Sequence, residues 1–240
     1  MSDYDSFAKF YDDAIGDRSD EIKLLSGIIK KHSPTAKSIL ELGCGTGSVL
    51  EGFKNEYQLA GIDLSKNMLR IAQHKLPNAS LYRHSIVGFE LTQRYDIILC
   101  VFDTLNHLAE FSDWQKLFRS AKKHLRTNGL FIFDMDTIDR LMRVSDILSY
   151  QQSLTTGPLN MRVRALTTHS VEWDLTIQNK QSDGIIQVFE EHVGETSFPL
   201  DVIKMELEKN FDVIGNFDSE SNTPTESSDR VYFVCRALTI

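Results

Sequence analysis

Hydrophobic and polar positions follow two rhythms in this chain. The first 37 residues read as helical, with Ile22, Leu25, Ile28 and Ile29 at helical spacing until Pro34 stops the pattern. Ser38–Leu42 is a short apolar strand that runs into a glycine cluster, Gly43-Cys44-Gly45-Thr46-Gly47, and a helix is predicted from Ser48 to about Asn55. Tyr57–Asp63 reads as a strand. Ser65 then caps a helix whose apolar stripe is Met68, Leu69, Ala72 and Leu76. Leu81–His84 is a short strand, and Tyr95–Phe102 is a continuous apolar run suited to a strand buried on both faces. Ser112 and Gln115 have capping-box spacing ahead of Trp114, Leu117, Phe118, Ala121 and Leu125, and Asn128-Gly129 predicts a left-handed helix stop. Leu130–Met135 is the next buried strand.

Strand and helix alternate regularly from about 38 to 135, which is the pattern of a parallel sheet covered by helices on both faces. Right-handed crossovers then give a doubly wound α/β sheet. After 136 the rhythm changes. Residues 137–149 read as a helix, and 161–178 and 185–198 as strands. Met161–Ala165 alternates with period two, and Asp183-Gly184 has hairpin chemistry. Pro199 opens a helix through Asn210, and Phe211–Phe217 and Val231–Ala237 close the chain as strands around a polar loop. The expected organisation is an N-terminal helical lid over 1–37 and a core from 38–136 and 199–240. An inserted helix and antiparallel strands over 137–198 would form a roof on the substrate side.

Composition narrows the class without naming the chemistry. The 240 residues are 41% hydrophobic and 25% charged, which excludes a disordered chain, a collagen or a coiled coil. A net charge of −8 disfavours nucleic acid as partner. No apolar run approaches the ~18 residues of a membrane span, and the acidic start Met1-Ser2-Asp3-Tyr4-Asp5 lacks signal-peptide order. Cys44, Cys100 and Cys235 are odd in number and far apart, which points to a reducing, cytoplasmic setting. Histidines and cysteines show no metal-ligand spacing. A small-molecule substrate is expected, in a monomer or homodimer.

The strongest chemical signal is the glycine cluster together with Asp63, 20 residues after Gly43 at the end of the next strand. Adjacent parallel strands bring that carboxylate beside the loop, where it can accept hydrogen bonds from ribose hydroxyls. The spacing is G-x-G-x-G, not the G-x-G-x-x-G of dinucleotide sites. Glu41, just before the loop, adds negative charge. A sulfonium cofactor, S-adenosylmethionine, suits that environment better than a pyrophosphate such as NAD.

Ile39-Leu40-Glu41-Leu42-Gly43-Cys44-Gly45-Thr46-Gly47, Gly61 to Leu69, Tyr95 to Cys100 and Leu125 to Leu130 stand in an order that resembles class I S-adenosylmethionine-dependent methyltransferases over about 38–136. The resemblance implies a seven-stranded, mostly parallel Rossmann-like sheet with an antiparallel β insertion after the fifth strand. It also implies that Gly43, Cys44, Gly45 and Gly47 wrap the methionine part of the cofactor. Asp63 would hold the ribose, Leu64 and Met68 would pack on the adenine, and Val101 and Phe102 would flank the sulfonium. Where the family places an acidic residue for the adenine amine, this chain has Ser85-Ile86, and the Ile86 N–H is the alternative donor. Tyr11, on the lid at helical spacing from Tyr4 and Phe7, is a further candidate contact. The late strands resemble the layout of amino-sugar and glycine N-methyltransferases.

Phe102-Asp103-Thr104-Leu105-Asn106-His107 follows the fourth strand, on the side where open α/β sheets bind ligands. Asp103 and His107 are therefore candidate general bases, with a helix-capping role the alternative for His107. Asn106, Trp173 and His192 are candidate substrate contacts. Cys44 reads as a small loop filler and not as a reactive thiol. The expected activity is methyl transfer to a small-molecule amine or hydroxyl. A cofactor-binding sensor or subunit without transferase activity, and an RNA or protein methyltransferase, are the rival readings.

Overall fold

The computed structural model describes residues 4–147, 149–180, 184–218, 220 and 222–238. Its larger sheet joins β1 (Ser38–Leu42), β2 (Gln58–Asp63), β3 (Ser80–Arg83), β4 (Tyr95–Cys100), β5 (Leu125–Asp136), β10 (Phe211–Asp218) and β11 (Arg230–Ala237) in the order β10-β11-β5-β4-β1-β2-β3. The first five are parallel, and β11 runs antiparallel to both β5 and β10. This is the doubly wound, Rossmann-like arrangement expected from the sequence, with an antiparallel strand pair at one edge.

Side chains alternate across these strands, so each face receives its own core. Leu40, Leu42, Ile98, Cys100, Phe131 and Phe133 pack on one side with Trp114, Leu117 and Phe118 of α5 (Phe111–His124) and Ile203 and Leu207 of α7 (Leu200–Leu207). Ile39, Ile97, Leu99, Leu130 and Ile132 pack on the other, with α2 (Ser19–His32), the short α3 (Ser48–Glu51) and α4 (Lys66–Lys75). Burial on both faces explains the unbroken apolar runs of β4 and β5.

A second sheet holds β6 (Tyr150–Leu154), β7 (Gly157–Thr167), β8 (Ser170–Lys180) and β9 (Ile186–Thr196), all antiparallel in that order. It follows α6 (Ile138–Ser145), which Thr137 caps with its side chain. The inner face of this sheet shares a core with the first helix, α1 (Ala8–Ile15), through Phe7, Phe10, Leu159, Leu175, Ile177 and Val193.

Several local expectations are corrected. The helix after the glycines ends at Glu51, with turns in place of its predicted second half. The capping box does not form: α5 begins at Phe111 with Glu110 at its N-cap, and the Gln115 amide donates to Glu206 instead. Asn128-Gly129 does not stop α5, which ends at His124. Asn128 is left-handed (φ +62°) within an excursion of β5, because Tyr95 pairs with Leu125 while Ile97 pairs with Leu130. Gly129 fits that turn because a Cβ would lie 2.9 Å from the Asp96 and Arg126 carbonyl oxygens. Strand β6, too polar to stand out in sequence, was not anticipated. Of the expected Asp183-Gly184 turn, Asp183 lies outside the described residues.

Candidate functional site

The C-terminal ends of β1, β2 and β4 open on a cavity of about 350 Å³, closed by α1 and by the inner face of the second sheet. Its floor is the glycine loop. Gly43, Gly45 and Gly47 all have positive φ (71°, 50° and 74°), a region that side chains with a Cβ disfavour. A Cβ on Gly43 would also collide with Thr104. The Gly43 and Cys44 N–H groups donate to the Ile62 carbonyl, which ties the loop to β2. Asp63 completes the floor: one carboxylate oxygen accepts from Gly45 N–H (2.8 Å), the other from Ser65 N–H (2.8 Å).

The chain just before α1, and α1 itself, lie across this floor, held by short polar contacts. Asp5 accepts from Ser65 Oγ (2.7 Å), Asn67 N–H (2.9 Å) and the Asn67 amide (2.9 Å). Asp12 accepts from Thr46 Oγ1 (2.5 Å) and pairs with Lys75. Asp13 accepts from both Thr155 donors, and the Gln152 amide donates to the Ala14 carbonyl, which fastens the helix to the second sheet as well. Tyr4, Phe7 and Tyr11 thereby line the cavity, Tyr11 directly over Gly45. Burial pushes both tyrosine hydroxyls up, so each remains a neutral phenol.

On the opposite wall Phe102 and Asp103 both have positive φ (59° and 49°), which is strained for residues carrying a Cβ. The buried Asp134 carboxylate holds this turn by accepting from Phe102 N–H (2.9 Å) and Asp103 N–H (2.7 Å). Arg18 lies over the Phe102 ring at 3.8 Å. Its Nε is buried and has no hydrogen-bond partner among the described residues. Arg230 binds Asp103 and Asp136 and lies 4.0 Å from Asp134. Glu195 is buried beside this group, and desolvation, reinforced by Asp103, pushes it up to about 8. Asp136 is raised to about 6, mainly by burial.

His107 also lines the cavity. Its Nδ1 is 3.3 Å from the Gly194 carbonyl, which can only accept, so Nδ1 carries a hydrogen and Nε2 keeps the lone pair of the neutral ring. Tyr4 meets the imidazole edge-on.

Of the residues singled out from sequence, Tyr11, Gly43, Gly45, Asp63, Leu64, Met68, Ser85, Ile86, Phe102, Asp103 and His107 line this one cavity. Others lie outside it. Cys44 is buried against Gly61, and burial pushes its thiol up. Gly47 meets Ala72 and Leu76, so its smallness serves the approach of α4. Val101 is buried behind the wall, where its carbonyl accepts from Thr104 Oγ1. Glu41 is buried beneath the loop, where desolvation and nearby Asp63 push its carboxyl well above the usual carboxylate range. Asn106 is consumed structurally: its amide donates to the Asp136 and Thr196 carbonyls and its oxygen accepts from Asp136 N–H. Trp173 packs against Tyr150 on the second sheet's inner face. His192 points outward, hydrogen-bonded to Asp174 at 2.6 Å.

Sequence reasoning missed Arg18, Arg230, Asp134 and Glu195. Each is an isolated charge within an unremarkable segment, and only the fold gathers them. Leu159, Met161 and Leu175, which line the cavity from the second sheet, were legible only as alternating strand residues.

Residues 39–129 match the family of methyltransferase domains. A methyltransferase-like protein of Geobacillus sp. (strain WCH70) is 28% identical over 97% of this chain and 99% of its own length. The dTDP-4-amino-2,3,4,6-tetradeoxy-D-glucose N,N-dimethyltransferase of Saccharopolyspora spinosa is 31% identical, over 45% of this chain and 43% of that enzyme. In fold, the chain is similar to an S-adenosylmethionine-dependent methyltransferase from Clostridium acetobutylicum ATCC 824 (TM-score 0.85, 21% identity, 98% of both chains). It is also similar to DesVI of Streptomyces venezuelae (TM-score 0.79, 17% identity, 99% of both chains).

Proposed function

This chain carries a methyltransferase domain of the Rossmann-like, S-adenosylmethionine-dependent class, and from that premise we propose that it transfers a methyl group to the nitrogen of a small-molecule acceptor. The observation that carries the reading is the glycine cradle closed by Asp63, in a cavity that Arg18 also lines with a buried guanidinium nitrogen lacking a partner among the described residues. A buried donor without a partner is unfavourable unless a ligand satisfies it. The carboxylate of the cofactor's amino-acid tail matches it, with the glycine loop leaving room for the chain that bears it. Asp63, at the end of β2 beside the glycine loop, would accept from the ribose hydroxyls. Leu64, Met68 and Ile86 offer the apolar walls that an adenine ring needs, with Ser85 at its edge.

S-adenosylmethionine supplies a methyl on a cationic sulfonium, which is already a good leaving group. The protein's own task is alignment and exclusion of water. Tyr4, Phe7 and Tyr11 above, with Leu159, Met161 and Leu175 from the second sheet, cover the reacting end with apolar surface. Holding two reactants in line is worth up to about 7–11 kcal/mol. An amine must be neutral to attack. His107, fixed as the Nδ1–H form by Gly194, presents Nε2 as the proton acceptor, a role worth roughly 10²–10⁴-fold. Asp103 is committed to Arg230, so it is suited to holding an acceptor's positive charge and not to removing its proton.

Calorimetry with S-adenosylhomocysteine and NAD, followed by radiolabelled methyl transfer into a metabolite extract, tests the reading. The expected result is binding of S-adenosylhomocysteine alone and label in a small molecule. Binding without transfer to any extract would leave a cofactor sensor, and tight NAD binding alone would overturn the class of reaction.

A further inference from the structure

Resting on the transferase reading, we infer that the acceptor is a small, net-cationic amine that carries no phosphate, unlike the dTDP-linked amino sugar in the name of the Saccharopolyspora relative. The observation is the balance of charge around the acceptor half of the cavity. Its described lining contains no lysine and two arginines. Arg18 lies on Phe102 and, on the transferase reading, is taken up by the carboxylate of the cofactor's tail. Arg230, the other, is already surrounded by the carboxylates of Asp103, Asp134 and Asp136. Glu195 adds a fourth acidic group, 91% buried beside them.

A diphosphate placed here would meet carboxylates with no unengaged cation, and burying unpaired like charges is heavily unfavourable. An ammonium meets the reverse situation. Asp103 reaches the cavity surface with one guanidinium already on its carboxylate, and can accept a second cationic donor. Tyr4 and His107 stand nearby as aromatic surfaces for the attached methylenes, and Met161 and Leu175 close the roof with apolar groups. The surplus acidity shows in Glu195, driven upward by burial, Asp103 and Asp136, and in Asp136, driven upward by burial, Asp103 and Asp134. A bound cation relieves that surplus, while a bound diphosphate adds to it.

The experiment has two arms on the full chain. In the first, protein saturated with S-adenosylhomocysteine is titrated with dTDP. No heat of binding is expected up to millimolar concentration, and a Kd below about 100 μM overturns the inference. In the second, a metabolite extract is labelled from S-adenosyl-[methyl-³H]methionine, cleared of the unreacted adenine-bearing donor on charcoal, and passed over a cation exchanger at pH 5. The labelled product is expected to be retained. Label in the unretained or anion-exchange-retained material overturns the inference while leaving the transferase reading intact, whereas no label in any fraction removes both. With the retained amine as substrate, Asp103→Asn is expected to raise KM at least tenfold with S-adenosylhomocysteine affinity within twofold of the parent. Asparagine tolerates the left-handed turn at this position, so an unchanged KM counts against Asp103 as the ammonium partner.

Discussion

Replacing Glu195 with glutamine tests the buried acidic cluster most directly, because the substitution keeps the shape and removes one titration. Glu195 in the folded protein titrates near 8, raised first by desolvation and then by Asp103. In the unfolded chain a glutamate titrates near 4.3. Between those values the folded state holds a proton that the unfolded state has lost. Stability therefore falls as pH rises, with a slope of about 1.36 kcal/mol per pH unit for this group. Its stability contribution is fully present below the unfolded value and is lost by the time pH passes through 8. From pH 6 to pH 9 the parent protein should lose about 2–3 kcal/mol more than Glu195→Gln, the interval being the two units below the folded value. Urea unfolding at pH 6, 7.5 and 9, monitored by tryptophan fluorescence, reads the difference as a shift in midpoint at constant slope. Asp136 titrates near 6 in both proteins and cancels in the comparison to first order. Parallel pH profiles for parent and variant would refute the argument that Glu195 is held neutral by its surroundings.

Asp63→Asn should weaken S-adenosylhomocysteine binding at least tenfold by calorimetry, since charge-assisted hydrogen bonds contribute about 1.5–3 kcal/mol each; unchanged affinity would remove Asp63 from the site. Arg18→Ala should weaken S-adenosylhomocysteine by roughly 10–100-fold but leave 5′-methylthioadenosine, which lacks the amino-acid tail, within about twofold. Equal losses for both ligands would point to a packing role over Phe102 instead. His107→Gln should lower kcat by about 10²–10⁴-fold with little change in KM in steady-state assays. A kcat within tenfold of the parent would assign that proton transfer elsewhere. Asp134→Asn leaves one of the Phe102 and Asp103 N–H groups facing an amide NH₂, and should lower unfolding stability by about 1–3 kcal/mol at neutral pH.

Much of the glycine-loop end of the cavity is legible in the sequence alone. The loop glycines and Asp63 announce themselves because a tight strand-to-helix turn and a carboxylate at the next strand's end are local requirements, and parallel pairing of β1 with β2 brings them together. The doubly wound core was legible for the same reason: a strand buried on both faces must be apolar throughout. The errors fell where a local signal competed with long-range pairing. Asn128-Gly129 carried the chemistry of a helix stop, but pairing of β5 with β4 drew the chain into a strand from Leu125.

By itself the sequence determined the order of strands and helices in the core sheet, the apolar face of each helix and the glycine-rich turn followed by Asp63, because these depend on residues within a few positions of one another. The acceptor side was decided only by tertiary structure. Asp103, Asp134, Asp136, Glu195 and Arg230 come from four separate stretches of chain, Asp134 and Asp136 sharing β5, and nothing in their local sequence says that they meet. Their meeting depends on β11 pairing with β5, on the second sheet folding over the strand ends, and on α1 closing beneath it. Burial then turns ordinary surface-type residues into a charged, water-poor site.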